Sequence, residues 1–346
     1  MRVTPVPRVR IPPPPLGFRD RGLLATREIE RVSAAVTESS TDGHATLTLT
    51  SASGELEAIY APSVGMVCCS LRHRGEELLG QRGGLEAYAT KGSTFGIPLL
   101  YPWANRLAAM NYSFEGADVT LSADDSPLHF DSAGLPMHGL LGASPYWEVV
   151  EAGESGGAAL LQARLDFSAH DELARAFPFR HMLELEVRLD DSSLTVATTV
   201  IPTGDSNVPI AFGFHPYLAL PGGSRDGVEI ELPVTRHALL EPSGIPSGEH
   251  EPASGARAPL GDRAFDDLFD ELSQPPLFTL SGPGREIELE FEGGYHFTQV
   301  YAPPEQPFIC FEPMTAPTNA LISGDRLGSV APGEQFKATF RISVGE

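Results

Sequence analysis

Apolar and polar residues alternate with a period of two along much of the chain. Leu47 and Leu49 alternate with threonines, and Leu183, Leu185, Val187 and Leu189 alternate with mostly charged residues. Leu194, Val196, Thr198 and Val200 continue the pattern, as do Val228, Ile230 and Leu232 and then Ile287, Leu289 and Phe291. Successive side chains of a strand point to opposite faces, so each run predicts a half-buried strand of an antiparallel sheet. The 35 glycines and 31 prolines are dispersed between the runs, which fits many turns within one body. The expected fold class is therefore all-β, a large antiparallel β-sandwich with few short helices. One helix is expected in the body, over 264–272. There Phe265, Leu268, Phe269 and Leu272 share a helical face and Asp266, Asp267, Asp270 and Glu271 fall elsewhere.

The N-terminal stretch reads differently. Residues 1–22 combine five arginines with the run Pro12-Pro13-Pro14-Pro15, a composition of extended, unpacked chain. A short helix is expected over 23–36 and a polar linker over 38–43. Residues 1–43 thus form a leader and linker, and a single β-sandwich domain is expected over 44–346.

Charge and cysteine usage exclude several functions. The 24 basic and 46 acidic residues give a formal −22, which disfavours nucleic acid and anionic membrane surfaces as partners. Three cysteines, two of them the adjacent Cys68 and Cys69, supply no disulfide framework. No apolar run reaches the length of a membrane span or forms a secretion signal. A cytoplasmic protein is expected; its oligomeric state is not legible.

Candidate chemistry gathers in a few segments. In the stretch 210–220, His215 follows an apolar strand-like run and precedes Pro216, which ends the ladder and presents the imidazole at a strand rim. Gly213 leaves room for close approach. Glu312 sits in an apolar run within the stretch 308–319, beside Pro313, where burial favours its neutral form and makes it a better proton acceptor than a solvated carboxylate. Asn105 and Arg106 end another apolar run, close to Trp103. An Arg fork suits a hydroxyl-rich ligand, and a Trp face suits a sugar ring. His138 lies in a turn after Pro136. The ten histidines show no metal-ligand spacing, and neither a phosphate loop nor a serine elbow is present, so no metal and no cofactor is expected. The remaining equipment is that of proton transfer.

In order along the chain, Asn105-Arg106, His138-Gly139 followed by Trp147, His215-Pro216-Tyr217, Phe265-Asp266-Asp267-Leu268-Phe269 and Glu312-Pro313-Met314-Thr315 resemble the aldose 1-epimerase (galactose mutarotase-like) family. The similarity extends from about Leu47 to Ile342. The resemblance implies a mutarotase-type sandwich that interconverts the α and β anomers of a hexose. His215 and Glu312 are then the catalytic pair, and Asn105, Arg106, His138 and Asp266 hold the sugar; Asp266 fits the family pattern better than Asp267. A small-molecule sugar is the implied partner. Two alternatives stay open: a hexose-6-phosphate 1-epimerase, with Arg72 and Arg74 as candidate phosphate ligands, or a non-catalytic carbohydrate-binding or sensing protein of the same fold.

Overall fold

Strands dominate the chain because the period-two runs pair with one another. The structure, a computed structural model, describes residues 33–222 and 224–346. One antiparallel sheet of nine strands takes the order Glu148–Ser155, Ala158–Asp166, His181–Leu189, Ser193–Pro202, Phe336–Gly345, Arg285–Gly293, Leu277–Gly282, Glu229–Leu232, Gly255–Pro259. The runs read as strands over 183–189, 194–200, 228–232 and 287–291 all fall in it. A second sheet runs Pro246–Pro252, Val234–Leu240, Phe265–Leu272, Phe297–Ala302, Phe308–Met314, Gly213–Phe214, Leu99–Leu100. Tyr217–Ala219 also pairs with Phe308–Met314. The inner faces meet through aromatic pairs: Phe278 stacks on Phe311 with centroids 5.2 Å apart, and Phe340 meets Phe214 at 5.0 Å. The expected antiparallel sandwich is the fold.

Three expectations are corrected. Residues 38–43 are not a linker: Ala35–Thr41 is a strand that pairs with His44–Thr50. Asp42 (φ 51°) and Gly43 (φ 83°) make the two-residue turn between them, the Asp-Gly chemistry that closes a hairpin. This hairpin belongs to a five-stranded sheet continued by Leu56–Ala61, Val67–His73 and Glu76–Glu77. The leader over 1–22 and most of the 23–36 helix lie outside the described residues; at its end, Ala35 and Val36 are strand.

The third correction concerns 264–272, where the structure has a strand, Phe265–Leu272, paired on both sides. Over Leu268–Asp270 both of its faces are covered, so period two is hidden. Phe269 packs in the sandwich core, Leu268 joins a small cluster on the opposite face, and Asp270 is buried against Arg236 (2.8 Å), Arg326 and His250 (3.0 Å). The glycine-rich turn near Gly80–Gly84 leads directly into the helix Gly84–Lys91.

Candidate active site

Strand alternation places the site. In Phe308–Met314, Phe311 points into the sandwich core, so Glu312 projects from the opposite face together with Phe308 and Cys310. Gly213 pairs with Met314 and Tyr217 with Cys310, which sets His215 opposite Glu312. Phe214 goes to the core and His215 to the outer face. The approach is close: a Cβ on Gly213 would lie 2.5 Å from the Pro313 carbonyl oxygen. Two backbone hydrogen bonds hold the rim, from His215 N–H to the Pro98 carbonyl (3.1 Å) and from Tyr217 N–H to the Gly96 carbonyl (2.9 Å). His215 Nε2 then stands 3.2 Å from Glu312 Oε1.

The binding residues expected from 105–106 and 138 come from two loops that clasp each other. Asn105 (φ 54°) and His138 (φ 63°) both occupy the left-handed region, which costs a non-glycine residue about 1–3 kcal/mol and clusters at ligand sites. The His138 N–H donates to the Asn105 carbonyl (2.8 Å). Arg106 is oriented twice over, by Nε to Asp131 Oδ2 (2.8 Å) and by Nη1 to Asn105 Oδ1 (2.9 Å).

Asp266 and Asp267 separate by the same alternation. Asp266 accepts from Gln299 Nε2 (2.8 Å), while Asp267 lies 3.2 Å from His237 Nε2. Gln299 sits opposite Glu312 on the neighbouring strand, so His215, Glu312 and Gln299 form a row across three strands. Asn105, Arg106, His138, His215, Asp266 and Glu312 line one cavity of about 290 Å³, near the lower end of small-molecule sites, roughly 300–1,000 Å³. Arg82, Thr94, Met137, Tyr217, Gln299 and Tyr301 complete its wall. Gln299 and Arg82 gave no signal in the sequence, because one looks like an ordinary strand polar residue and the other like part of a turn.

Three residues fall elsewhere. Trp103 is buried in the core and offers no face to a ligand. Arg72 and Arg74, the candidate phosphate ligands, belong to the five-stranded sheet and pair with Glu57 (3.3 Å) and Glu77 (3.5 Å) and with Glu55 (3.1 Å) and Glu346. The cavity's arginines are Arg82 and Arg106.

Burial sets the electrostatics. It lowers the His215 pKa well below the usual histidine value, helped by the nearby His138 and Arg82. It pushes His138 down to about 3, with Arg106 and His129 adding to the effect, so His138 presents a neutral ring at pH 7. Glu312 is raised well above the usual range by burial and by the Asp266 charge, against the opposing pull of Arg106. Glu312 Oε2, Gln299 Oε1 and the Nδ1 atoms of His138 and His215 are buried without a hydrogen-bond partner among the described residues. Such orphaned groups cost about 1–3 kcal/mol each. Among the described residues, no group of three or more His, Cys, Asp or Glu side chains is placed to hold a metal ion.

Known proteins agree with this architecture. The uncharacterized protein YihR of Escherichia coli (strain K12) is 24% identical over 252 residues, covering 70% of this chain and 77% of YihR. The crystal structure of a galactose mutarotase-like protein from Clostridium acetobutylicum superposes with a TM-score of 0.79 at 16% identity, over 91% of this chain and 99% of that one. Galactose 1-epimerase from Lactobacillus acidophilus NCFM gives 0.70 at 14% identity, over 91% and 99%. The sequence model of the aldose 1-epimerase family matches residues 47–343, and the chain belongs to that family.

Proposed function

We propose that the cavity interconverts the α and β anomers of an aldopyranose, with Glu312 as base and His215 as acid. The observation that carries this reading is the 3.2 Å approach of His215 Nε2 to Glu312 Oε1 in a cavity of monosaccharide size.

The pair works with one shared proton. Attraction between the ionised forms at this distance is about 5 kcal/mol for an effective dielectric of about 20. Desolvating two ions costs several kcal/mol each. The neutral pair is therefore favoured in the empty cavity, by a margin small enough for a ligand to reverse. Sugar hydroxyls that donate to Glu312 Oε2 stabilise the carboxylate and move the proton to His215. Glu312 then takes the proton of the anomeric hydroxyl, C1 becomes a carbonyl as the C1–O5 bond breaks, and O5 takes the proton from His215. Rotation about C1–C2 presents the other carbonyl face. The reverse transfers close the ring as the opposite anomer and return the pair to its starting charge. Arg106 and the neutral His138 ring bind hydroxyls and steady the charge developing on oxygen, and Asp266, held by Gln299, orients another hydroxyl.

A non-catalytic sugar sensor does not require an acid and a base in contact. Polarimetry on freshly dissolved α-D-glucose and α-D-galactose tests the reading: catalytic amounts of the protein accelerate the change of rotation. Binding without acceleration would replace the enzyme by a sensor.

A further inference from the structure

Asp131 uses its two carboxylate oxygens for two different tasks. Oδ1 accepts the backbone N–H groups of Ala133 (2.8 Å) and Leu135 (2.9 Å), and the Asp131 N–H donates to the Leu135 carbonyl (3.0 Å). A side-chain acceptor of this kind closes a turn, here over 131–135. The turn fixes the short ladder in which Phe130 faces Pro136 and His129 faces Met137, and His138 follows directly. Oδ2 accepts from Arg106 Nε (2.8 Å). One side chain thus ties the loop that presents His138 to the cation of the loop before it. Only 8% of the Asp131 side chain and 16% of Arg106 are exposed, so water does little to compete with this pair. Burial pushes the Asp131 carboxyl up, but the Leu135 amide, the Arg106 guanidinium and the Ala133 amide outweigh it and hold the group below its usual value.

The guanidinium is restrained from a second direction. Asp131 takes the Nε–H and Asn105 Oδ1 takes one N–H of Nη1 (2.9 Å), which leaves Nη2 without an acceptor among the described residues. Gly244 lies against the group: a Cβ there would stand 2.9 Å from Nη1, 3.1 Å from Cζ and 3.2 Å from Nε. Its own turn is closed by the Glu241 N–H on the Ile245 carbonyl and the Gly244 N–H on the Glu241 carbonyl, both at 2.8 Å.

The alternative acceptor for Arg106 in the cavity is the proposed base. Burial and the Asp266 charge raise the Glu312 pKa, and the Arg106 charge opposes them. Among the described residues Arg106 nevertheless forms an ion pair with Asp131 and none with Glu312. A guanidinium seated on Glu312 would occupy a carboxylate oxygen and weaken the base, and it would disturb the 3.2 Å contact with His215 Nε2. We propose that Asp131 is a positioning residue that clamps Arg106 where it meets a sugar hydroxyl and withholds it from Glu312, which stays free to take the anomeric proton. The step rests on the proposed roles of Glu312 and His215 and adds a residue that stands outside the cavity wall.

Asp131→Asn in the full chain is the discriminating variant, because its amide oxygen still accepts from Ala133 and Leu135 while its NH2 group cannot accept from Arg106. Thermal unfolding should change little, and kcat for an accepted aldose should fall by about 10- to 100-fold, the scale of a hydrogen bond to a charged group. Arg106→Gln alone loses a hydroxyl contact and should act mainly on KM. Added to Asp131→Asn, it should raise kcat again, since the released cation is gone. A merely structural Asp131 predicts a double variant at least as slow as Asp131→Asn. Unchanged kcat in a folded Asp131→Asn, or no recovery in the double variant, overturns the clamp. The infrared band of the protonated Glu312 carboxyl, identified by its loss in Glu312→Gln, reads the same event without turnover. It should be present in the wild type and absent in Asp131→Asn; a band that survives in Asp131→Asn overturns the clamp. Asp131→Ser, whose hydroxyl can also accept the turn bonds, repeats the comparison where Asp131→Asn does not fold. Loss of the band in a protein that anomerises no sugar would leave the clamp standing and remove the enzyme.

Discussion

His215 faces Glu312 across an antiparallel ladder whose register is fixed on either side, by Gly213 against Met314 and by Tyr217 against Cys310. Because side chains alternate, a slip of one residue in either segment would turn one of the two groups away from the cavity and into the sandwich core. The proposed chemistry therefore depends on backbone pairing as much as on the two side chains.

Gly213→Ala tests that dependence. Its Cβ would meet the Pro313 carbonyl at 2.5 Å and the Ala104 Cβ at 3.1 Å, and neither neighbour is a flexible side-chain end. The expected outcome is a loss of about 1–3 kcal/mol of stability, as for other overpacked sites. A fall in kcat should persist at temperatures where the variant is still folded. Chemical denaturation and NMR exchange kinetics measure the two effects separately.

Gln299→Leu should act through the substrate. The amide holds Asp266 at 2.8 Å and is itself 1% exposed, so its removal leaves Asp266 unanchored beside an apolar surface. Loss of one charge-assisted hydrogen bond predicts a fall in kcat/KM of roughly 10-fold, mostly in KM. Initial rates over a range of sugar concentration give the split.

Stability should fall with acid, because the buried histidines His138 and His215 of the cavity and His181 outside it all have lowered pKa values. His181 is buried, with Nδ1 2.6 Å from the Phe179 carbonyl and Nε2 2.6 Å from the Tyr101 hydroxyl, and burial lowers its pKa to about 4. Since the folded value lies below the unfolded one, its contribution is fully present above pH 6.5 and is lost as pH falls from there towards 4, on the order of 3 kcal/mol. The raised Glu312 works in the opposite direction, contributing most below the ordinary Glu value and less as pH rises. Denaturant unfolding at pH 7.5 and pH 5 should show the drop. His181→Gln, though less stable at pH 7.5, should show a smaller difference between the two.

Much of this was legible in the residues themselves. Glu312 in an apolar run beside Pro313 and His215 before Pro216 break local patterning, and such breaks mark sites. Clean alternation located the strands 183–189 and 287–291. The Phe265–Leu272 strand carries a helix-like pattern because apolar residues on its two faces happen to recur at helical spacing. An aromatic beside Asn105-Arg106 gives no sign in the sequence of which way its ring turns, and the Trp103 ring turns into the core. Gln299 and Arg82 carry no local signature: their importance arises from strand neighbours and loop packing distant in the chain.

The most direct test compares the α-to-β exchange rate of an accepted aldose for the wild type, His215→Asn, Glu312→Gln and the double variant. Acid and base that act as a unit should each cost about 10²–10⁴ in kcat, and the double variant should be little slower than either single one. A wild-type rate in either single variant, or losses that multiply in the double, would contradict the shared-proton pair.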